Sequence, residues 1–420
     1  MKTWGFGAAM AVLVVVLAAC ASAERSSFGE ATDPGAGGSS SGAGPADPGL
    51  GPGGGGGPAA PVGTLTGTVK APNGSMPIAG ALVYLTHDRP APNPGKVYCD
   101  GCVHLAAGTP YVVADASGRF ELAPTELGAQ LLVVQKGGFR RVREIYVSKG
   151  KATLPETLTT LPPKTDLAQG DEVPKMAVVH GAYDDIEASL QKLGIDPSAI
   201  DLVQSALVGK AAGEFLRDAS RVMSQHVVFL PCGDFTQPAP NTDLSSDPVI
   251  QKNLQDFVRA GGRLYATDWH YDFVSRAFPG YVSWVGGSAA ACSGCDRIAY
   301  DAAATVKDSG LSAWLTAQSL GSFTLQRNYT TVASVSPVAT TDADGNPITV
   351  TPKVWVEGSK GGGAAKPATV TFENGCGRVL FSTYHTEPST LALTPQERTL
   401  LGVLLETTVC NESPTGVVLK

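Results

Sequence analysis

Four short apolar runs in this 420-residue chain are each followed by a group of polar residues able to do chemistry. His180 to Asp185, Cys232 to Asp234, Asp268 to Asp272 and Tyr384 to Glu387 together supply Asp184, Asp185, Asp234, Asp268, Asp272, His270, His385 and Glu387. A carboxylate facing an imidazole can hold the imidazolium form, act as a base toward a bound polyol, or coordinate a metal with a second His and acid. Asp268, His385 and Glu387 are the catalytic candidates. Asp184, Asp185, Asp234, Trp269, His270 and Tyr384 are candidate ligand contacts. Trp269, Tyr271, Trp284 and Tyr384 can stack on a sugar ring, or fill a core as most aromatics do. Strand-end Asp residues also cap helices and make Asx turns, and an Asp and a His can form a silent buried pair.

The thiols form a second set. Cys99-Asp100-Gly101-Cys102 and Cys292-Ser293-Gly294-Cys295 are both C-x-x-C, the spacing of a redox dithiol, of half a zinc site or of a local disulfide. Both lie in Gly-containing loops rather than at a helix N-terminus, where a thioredoxin-like Cys would sit. Local disulfides are therefore expected. Cys102 is followed by Val103 before His104, so the haem-attachment spacing is missed by one residue. Cys376 and Cys410 can pair across the last hairpin and helix, leaving Cys232 as the odd thiol. No cofactor and no resident metal are called for.

Such residues need a scaffold, and the period of the apolar positions supplies one. Met176–Val179, Val227–Leu230 and Leu264–Ala266 read as strands, with helical spacing at Ile186, Leu190 and Leu193 after the first. Asp247 and Pro248 open a helix with the stripe Ile250, Leu254, Phe257 and Val258, and Gly261-Gly262 stops it. Val370–Phe372 and Val379–Ser382 flank Asn374-Gly375 as a hairpin, and Thr394-Pro395-Gln396-Glu397 is a capping box. Strands alternating with helices imply an α/β domain with a mostly parallel, flavodoxin-like sheet flanked by helices, spanning 174–412. Ligands bind such sheets at the carboxyl ends of the strands.

Upstream the rhythm is all-β. From Gly63 to Thr160 short strands alternate in polarity, with Pro72-Asn73-Gly74 as a turn and no helical period, which implies a β-sandwich over 63–161. Residues 162–173, polar and Pro-containing, read as a linker. Gly35 to Pro61 holds 12 Gly and 5 Pro in 27 residues, so 20–62 reads as a flexible tether reaching roughly 35 Å root-mean-square. Lys2 and the apolar run Ala8 to Leu17 precede Leu17-Ala18-Ala19-Cys20. Ten apolar residues are half of the roughly 20 a membrane-spanning helix needs, so 1–19 reads as a leader. The formal charge of −7 argues against a nucleic-acid partner, and 43% hydrophobic residues argue against disorder.

Three resemblances sharpen these readings. Leu17-Ala18-Ala19-Cys20 resembles the bacterial lipoprotein signal, which implies acylation of Cys20, a membrane partner through that lipid, and a cell-envelope location. Ala21 and Ser22, where the enterobacterial sorting rule would place Asp for retention, point to the outer membrane. An ordinary secretory signal cut at an Ala-x-Ala site is the alternative. Gly67-Thr68-Val69, Pro77 to Val83, Asp115 to Phe120 and Gly137-Gly138-Phe139 resemble carboxypeptidase-regulatory, transthyretin-like sandwich modules, which are spacers or binding units.

Asn253 to Trp269 and Gly377 to Glu387 resemble the class I glutamine amidotransferase-like superfamily, nearest its trehalose-utilisation-type branch. In its catalytic members a Cys stands on a sharp turn after the strand that follows Gly-Gly, with a His-x-Glu motif downstream. His385-Thr386-Glu387 matches the second motif, but the nucleophile position falls on Asp268. Cys232 falls one strand too early to replace it. A carboxylate is a far poorer nucleophile than a thiolate toward an amide, so amidotransferase activity is not expected. The expectation is an envelope lipoprotein that binds a carbohydrate or protein ligand. The alternative is a hydrolase or isomerase of a carbohydrate-like metabolite using Asp268, His385 and Glu387.

Overall fold

The structure is a computed structural model that describes residues 60–99, 103, 105–181, 183–204, 208–233, 243–289, 292–386 and 392–405. The expected leader, Cys20, the tether as far as residue 59, Cys102, Asp234, Glu387 and Cys410 lie outside the described residues.

The first region contains β1 (Gly63–Thr68), β2 (Leu82–Thr86), β3 (Tyr111–Val113), β4 (Arg119–Leu122), β5 (Gly128–Lys136), β6 (Phe139–Val147), β7 (Gly150–Thr153), the one-turn helix α1 (Glu156–Thr159) and β8 (Asp171–Glu172). They form a three-stranded sheet, β4-β1-β7, and a five-stranded sheet, β3-β2-β5-β6-β8. Alternation directs Leu65, Phe120 and Leu122 from the first sheet and Val83, Leu85, Leu132 and Val134 from the second into one core. At the turn into β4, Asp115 Oδ1 accepts from Ser117 N at 2.8 Å and Arg119 N at 2.9 Å. The segment read as a linker carries β8, which pairs with β6 and is fastened by ion pairs from Arg140 to Glu172 and from Arg141 and Arg143 to Asp171.

The second region opens with β9 (Met176–Val179), α2 (Ile186–Lys192), β10 (Ile200–Val203), α3 (Val208–Arg217), α4 (Ala219–Met223), β11 (Val227–Leu230), α5 (Pro248–Arg259), β12 (Arg263–Thr267) and α6 (Tyr271–Ala277). It continues through β13 (Val282–Trp284), β14 (Cys295–Val306), α7 (Ser309–Ala317), β15 (Thr324–Thr330), β16 (Val332–Val335), β17 (Val338–Thr341), β18 (Pro347–Val350), β19 (Lys353–Lys360), β20 (Lys366–Asn374), β21 (Gly377–Ser382) and α8 (Pro395–Leu405). Nine of these strands form one sheet, ordered β10-β9-β11-β12-β21-β20-β19-β14-β15.

The chain is thus mixed α/β, but the large sheet is not mostly parallel. Its first four pairings are parallel and its last four antiparallel. Parallel neighbours need a crossover, which the helices between β9 and β12 provide. β20 and β21 are instead joined by a tight turn at Gly375 (φ +63°), which forces them antiparallel. Over 295–360 no sequence period marks the strands, because β15, β17 and β18 are half exposed and lack a clean apolar alternation. Order along the parallel half reverses between β9 and β11, which lie side by side.

The two regions touch along several lines. Asn73 N donates to Leu193 O at 2.9 Å, Val97 N to Met223 O at 2.9 Å and Trp314 Nε1 to Pro77 O at 2.9 Å. Cys99 is bonded to Cys376, 277 residues downstream. This corrects two pairings: Cys99 does not close a loop on Cys102, and Cys376 does not pair with Cys410. The reason is an approach between backbones, since the loop ending at Cys99 lies directly against Gly261, where an added Cβ would stand 1.9 Å from Tyr98 O. Cys376 N also donates to Arg259 O at 3.1 Å, so the hairpin tip is held at the same place. Cys292–Cys295 is a local disulfide, as its spacing suggested.

Candidate functional site

Parallel register decides which residues meet. Leu230 pairs with Ala266, and Thr267 with Ser382. Two residues beyond the first pair stand Cys232 and Asp268, side by side, and three residues beyond Ser382 stands His385. Their ligand atoms lie within 4.8 Å of one another, and all three residues are buried.

Asp268 is the sharpest feature. Strand β12 turns there into a short 3-10 segment, and Asp268 takes φ +48°, a left-handed conformation that Asp enters more easily than most side chains. It is fully buried. Its Oδ2 accepts from Tyr329 N at 2.9 Å and lies 2.9 Å from His385 Nε2. Its Oδ1 is buried and makes no hydrogen bond among the described residues. Burial pushes the Asp268 carboxyl up to about 6, against the opposing pull of His385, the Thr330 hydroxyl and the Tyr329 N–H. Cys232 is 1% exposed, and burial followed by the negative charge of Asp268 pushes its thiol well above the ordinary range. A thiol held in that state is not a nucleophile.

The neighbouring acids hydrogen-bond hydroxyl and backbone groups at the strand ends. Asp184 Oδ2 accepts from Thr267 Oγ1 at 2.7 Å, and its Oδ1 accepts from Thr386 N at 3.0 Å and from the Thr386 hydroxyl. Cys232 N donates to Thr267 Oγ1 at 2.8 Å. Asp184 therefore ties together the ends of β9, β11, β12 and β21. Asp185 caps α2, accepting from Ala188 N at 3.3 Å. Asp272 accepts from Cys292 N at 2.8 Å and so anchors the Cys292–Cys295 loop. His270 is buried with its ring edge-on to Phe273, 5.4 Å between centroids. Tyr384 is fully buried, its hydroxyl 2.5 Å from Thr369 Oγ1.

Aromatic rings descend from the surface to His385. Tyr183, 54% exposed, meets Trp269 edge-on at 5.4 Å. Trp269 meets Tyr329 edge-on at 6.1 Å, and Tyr329 stacks on the His385 ring at 5.5 Å with 21° between planes. Tyr183 and Tyr329 carry no sequence signal of their own, and Cys232 lies one strand before the nucleophile position. Adjacent parallel strands carry their ends side by side, so the equal offset of Cys232 and Asp268 was the signal available for the thiol.

No family model matches the chain, and no curated protein matches it. Among solved structures it is similar to a ThuA-like protein from Bacteroides uniformis, at 10% identity over 55% of this chain and 91% of that one, with a TM-score of 0.33. It is also similar to a cytoplasmic protein from Salmonella typhimurium, at 13% identity over 65% of this chain and 93% of that one, TM-score 0.33. A GH42 β-galactosidase from G. stearothermophilus aligns at 13% identity and TM-score 0.29, over 57% of this chain and 30% of the galactosidase.

Proposed function

We propose that the chain is a lipid-anchored protein of the cell envelope whose α/β region binds a carbohydrate-like ligand on the Tyr183–Trp269–Tyr329 rings without turning it over. The observation that carries this reading is the contrast between what is sealed and what is open. Cys232, Asp268 and the His385 ring are buried, whereas Tyr183 stands exposed and Trp269 and Tyr329 are half-buried above them. Aromatic faces of this kind suit the apolar faces of sugar rings. The first region then acts as a carboxypeptidase-regulatory-like sandwich that, with the tether, holds the binding region off an outer membrane to which Cys20 is acylated.

Tryptophan fluorescence of the full mature chain, titrated with a panel of envelope and plant oligosaccharides, tests the reading. Saturable quenching is expected, with affinity falling at least tenfold in Trp269→Ala while the circular dichroism is kept. Absence of saturable binding across the panel, or equal affinity in the variant, overturns it. The anchor is tested separately by intact mass: a mature N-terminus other than acylated Cys20 rules it out.

One observation favours a second reading, hydrolysis or isomerisation of a carbohydrate-like metabolite through Asp268, His385 and Glu387. Asp268 combines a left-handed backbone, a carboxyl pushed up to about 6 and an oxygen without a hydrogen bond among the described residues, a combination found where acids do proton transfer. Product formation from the same panel that is lost in His385→Ala would replace the binding reading with this one.

A further inference from the structure

We propose that Cys232, Asp268 and His385 form a binding site for a transition-metal ion of the zinc class. The three residues come from the ends of three neighbouring strands and offer one sulfur, one oxygen and one nitrogen within 4.8 Å of one another. A tetrahedral zinc with ordinary bond lengths places its ligand atoms about 3.4–3.6 Å apart. Asp268 Oδ2 and His385 Nε2, now 2.9 Å apart, must separate by about half an ångström, and the Cys232 sulfur, within 4.8 Å of both, must close by at most about 1.3 Å to match that geometry. Sulfur together with imidazole selects a borderline-soft ion over calcium or magnesium, which take oxygen ligands.

A second observation points the same way. Asp268 Oδ1 is buried without a hydrogen bond among the described residues, on a carboxylate that the left-handed turn aims into the cluster. Burying such an oxygen unsatisfied costs about 1–3 kcal/mol, and a bound cation removes that cost, with Oδ1 available as a further ligand. The supporting shell is in place: Tyr329 N holds Asp268 Oδ2, Thr267 Oγ1 holds the Cys232 backbone, Gln396 Nε2 donates to His385 O at 2.7 Å, and the Tyr329 ring covers the imidazole. On binding, metal–sulfur and metal–nitrogen bonds form, and two protons leave to the buffer: the S–H proton of Cys232 and the one held between His385 Nε2 and Asp268 Oδ2.

Cobalt(II) added to the chelator-treated, disulfide-intact full chain is the probe. One equivalent should bind and give the intense near-ultraviolet charge-transfer band of a cobalt–thiolate bond, and zinc should bleach it. The band should vanish in Cys232→Ala, and cobalt affinity should fall at least tenfold in Asp268→Asn. A wild-type chain that takes up no stoichiometric cobalt, or shows no thiolate band, overturns the proposal whether or not the variants fold. A band that survives in Cys232→Ala overturns it too. Oligosaccharide titration of the same metal-depleted chain reports separately on the binding reading, so failure of one is distinguishable from failure of the other.

Discussion

Nε2 of His385 lies 2.9 Å from Oδ2 of Asp268, across the carboxyl ends of the adjacent parallel strands β21 and β12. Neither residue is placed by its own neighbours in sequence. Thr267 pairs with Ser382, and the turns that follow the two strands then bend toward each other, with Asp184 clamping Thr267 and Thr386 from a third strand end. The pair is therefore a product of strand order, and whatever the site does depends on that clamp as much as on the acid and the imidazole.

Removing the acid tests how much the pair contributes. Asp268→Ala takes a charge partner from a buried imidazole and sets alanine in a left-handed conformation, for an expected loss of about 2–4 kcal/mol in urea denaturation. Asp268→Asn should lose markedly less, because Asn tolerates the turn and still accepts from Tyr329 N. Equal losses in the two variants would show that the carboxamide replaces nothing the carboxylate provides.

The Cys99–Cys376 bond carries a second expectation. It closes a separation of 277 residues, and long closures restrict the unfolded chain most, so its loss in Cys99→Ser should cost about 2–5 kcal/mol. Peptide mapping without reduction should recover Cys99 and Cys376 in one linked pair. Recovery of Cys99 linked to Cys102 instead would contradict the close approach at Gly261.

Why some of this was readable from sequence and some was not follows from where the information sits. Met176–Val179 and Val227–Leu230 match their strands residue for residue, because both are fully buried apolar runs with abrupt ends. Asp247, Pro248 and Gly261 marked the ends of α5 by local chemistry, and the Thr394–Glu397 box forms as its spacing implied, Thr394 N donating to Glu397 Oε2 at 2.7 Å. Strands β14 to β19 were missed, since pairing rather than burial defines half-exposed antiparallel strands. The partner of Cys99 could not be read at all, because spacing along the chain says nothing of a contact between two regions.

Acid should weaken the junction beside β8. Burial alone would push Asp171 up, but hydrogen bonds and charge from Arg141 and Arg143 outweigh it and hold the carboxyl below its ordinary value. A depressed folded-state value means that the stabilisation is present above the unfolded value near 4 and is lost as pH falls through the folded one. Wild type should therefore exceed Asp171→Asn in stability at pH 7, by about 1–2 kcal/mol for a partly buried ion-paired acid. Denaturation curves taken from pH 7 down to pH 3 should bring the two proteins together below pH 4. A gap that stays constant over that range would mean that the acid acts through packing alone.

Gly261 is the position where the two regions leave no room. Its φ of +110° is open to glycine and strained for any L side chain, and a Cβ there would stand 1.9 Å from Tyr98 O and 2.9 Å from the Cα of Cys99. Backbone atoms cannot swing aside as a side-chain tip can. Gly261→Ala must therefore displace the Cys99 loop, and with it the disulfide to Cys376. The expected outcome is a loss of about 3 kcal/mol or more, together with easier reduction of that disulfide by dithiothreitol. Gly74→Ala is the control, since its φ of +69° is also left-handed but nothing lies within 4 Å of the added Cβ. It should lose only about 1 kcal/mol, from backbone strain alone. Similar losses at the two glycines would mean that the Cys99 loop does not press on the end of α5.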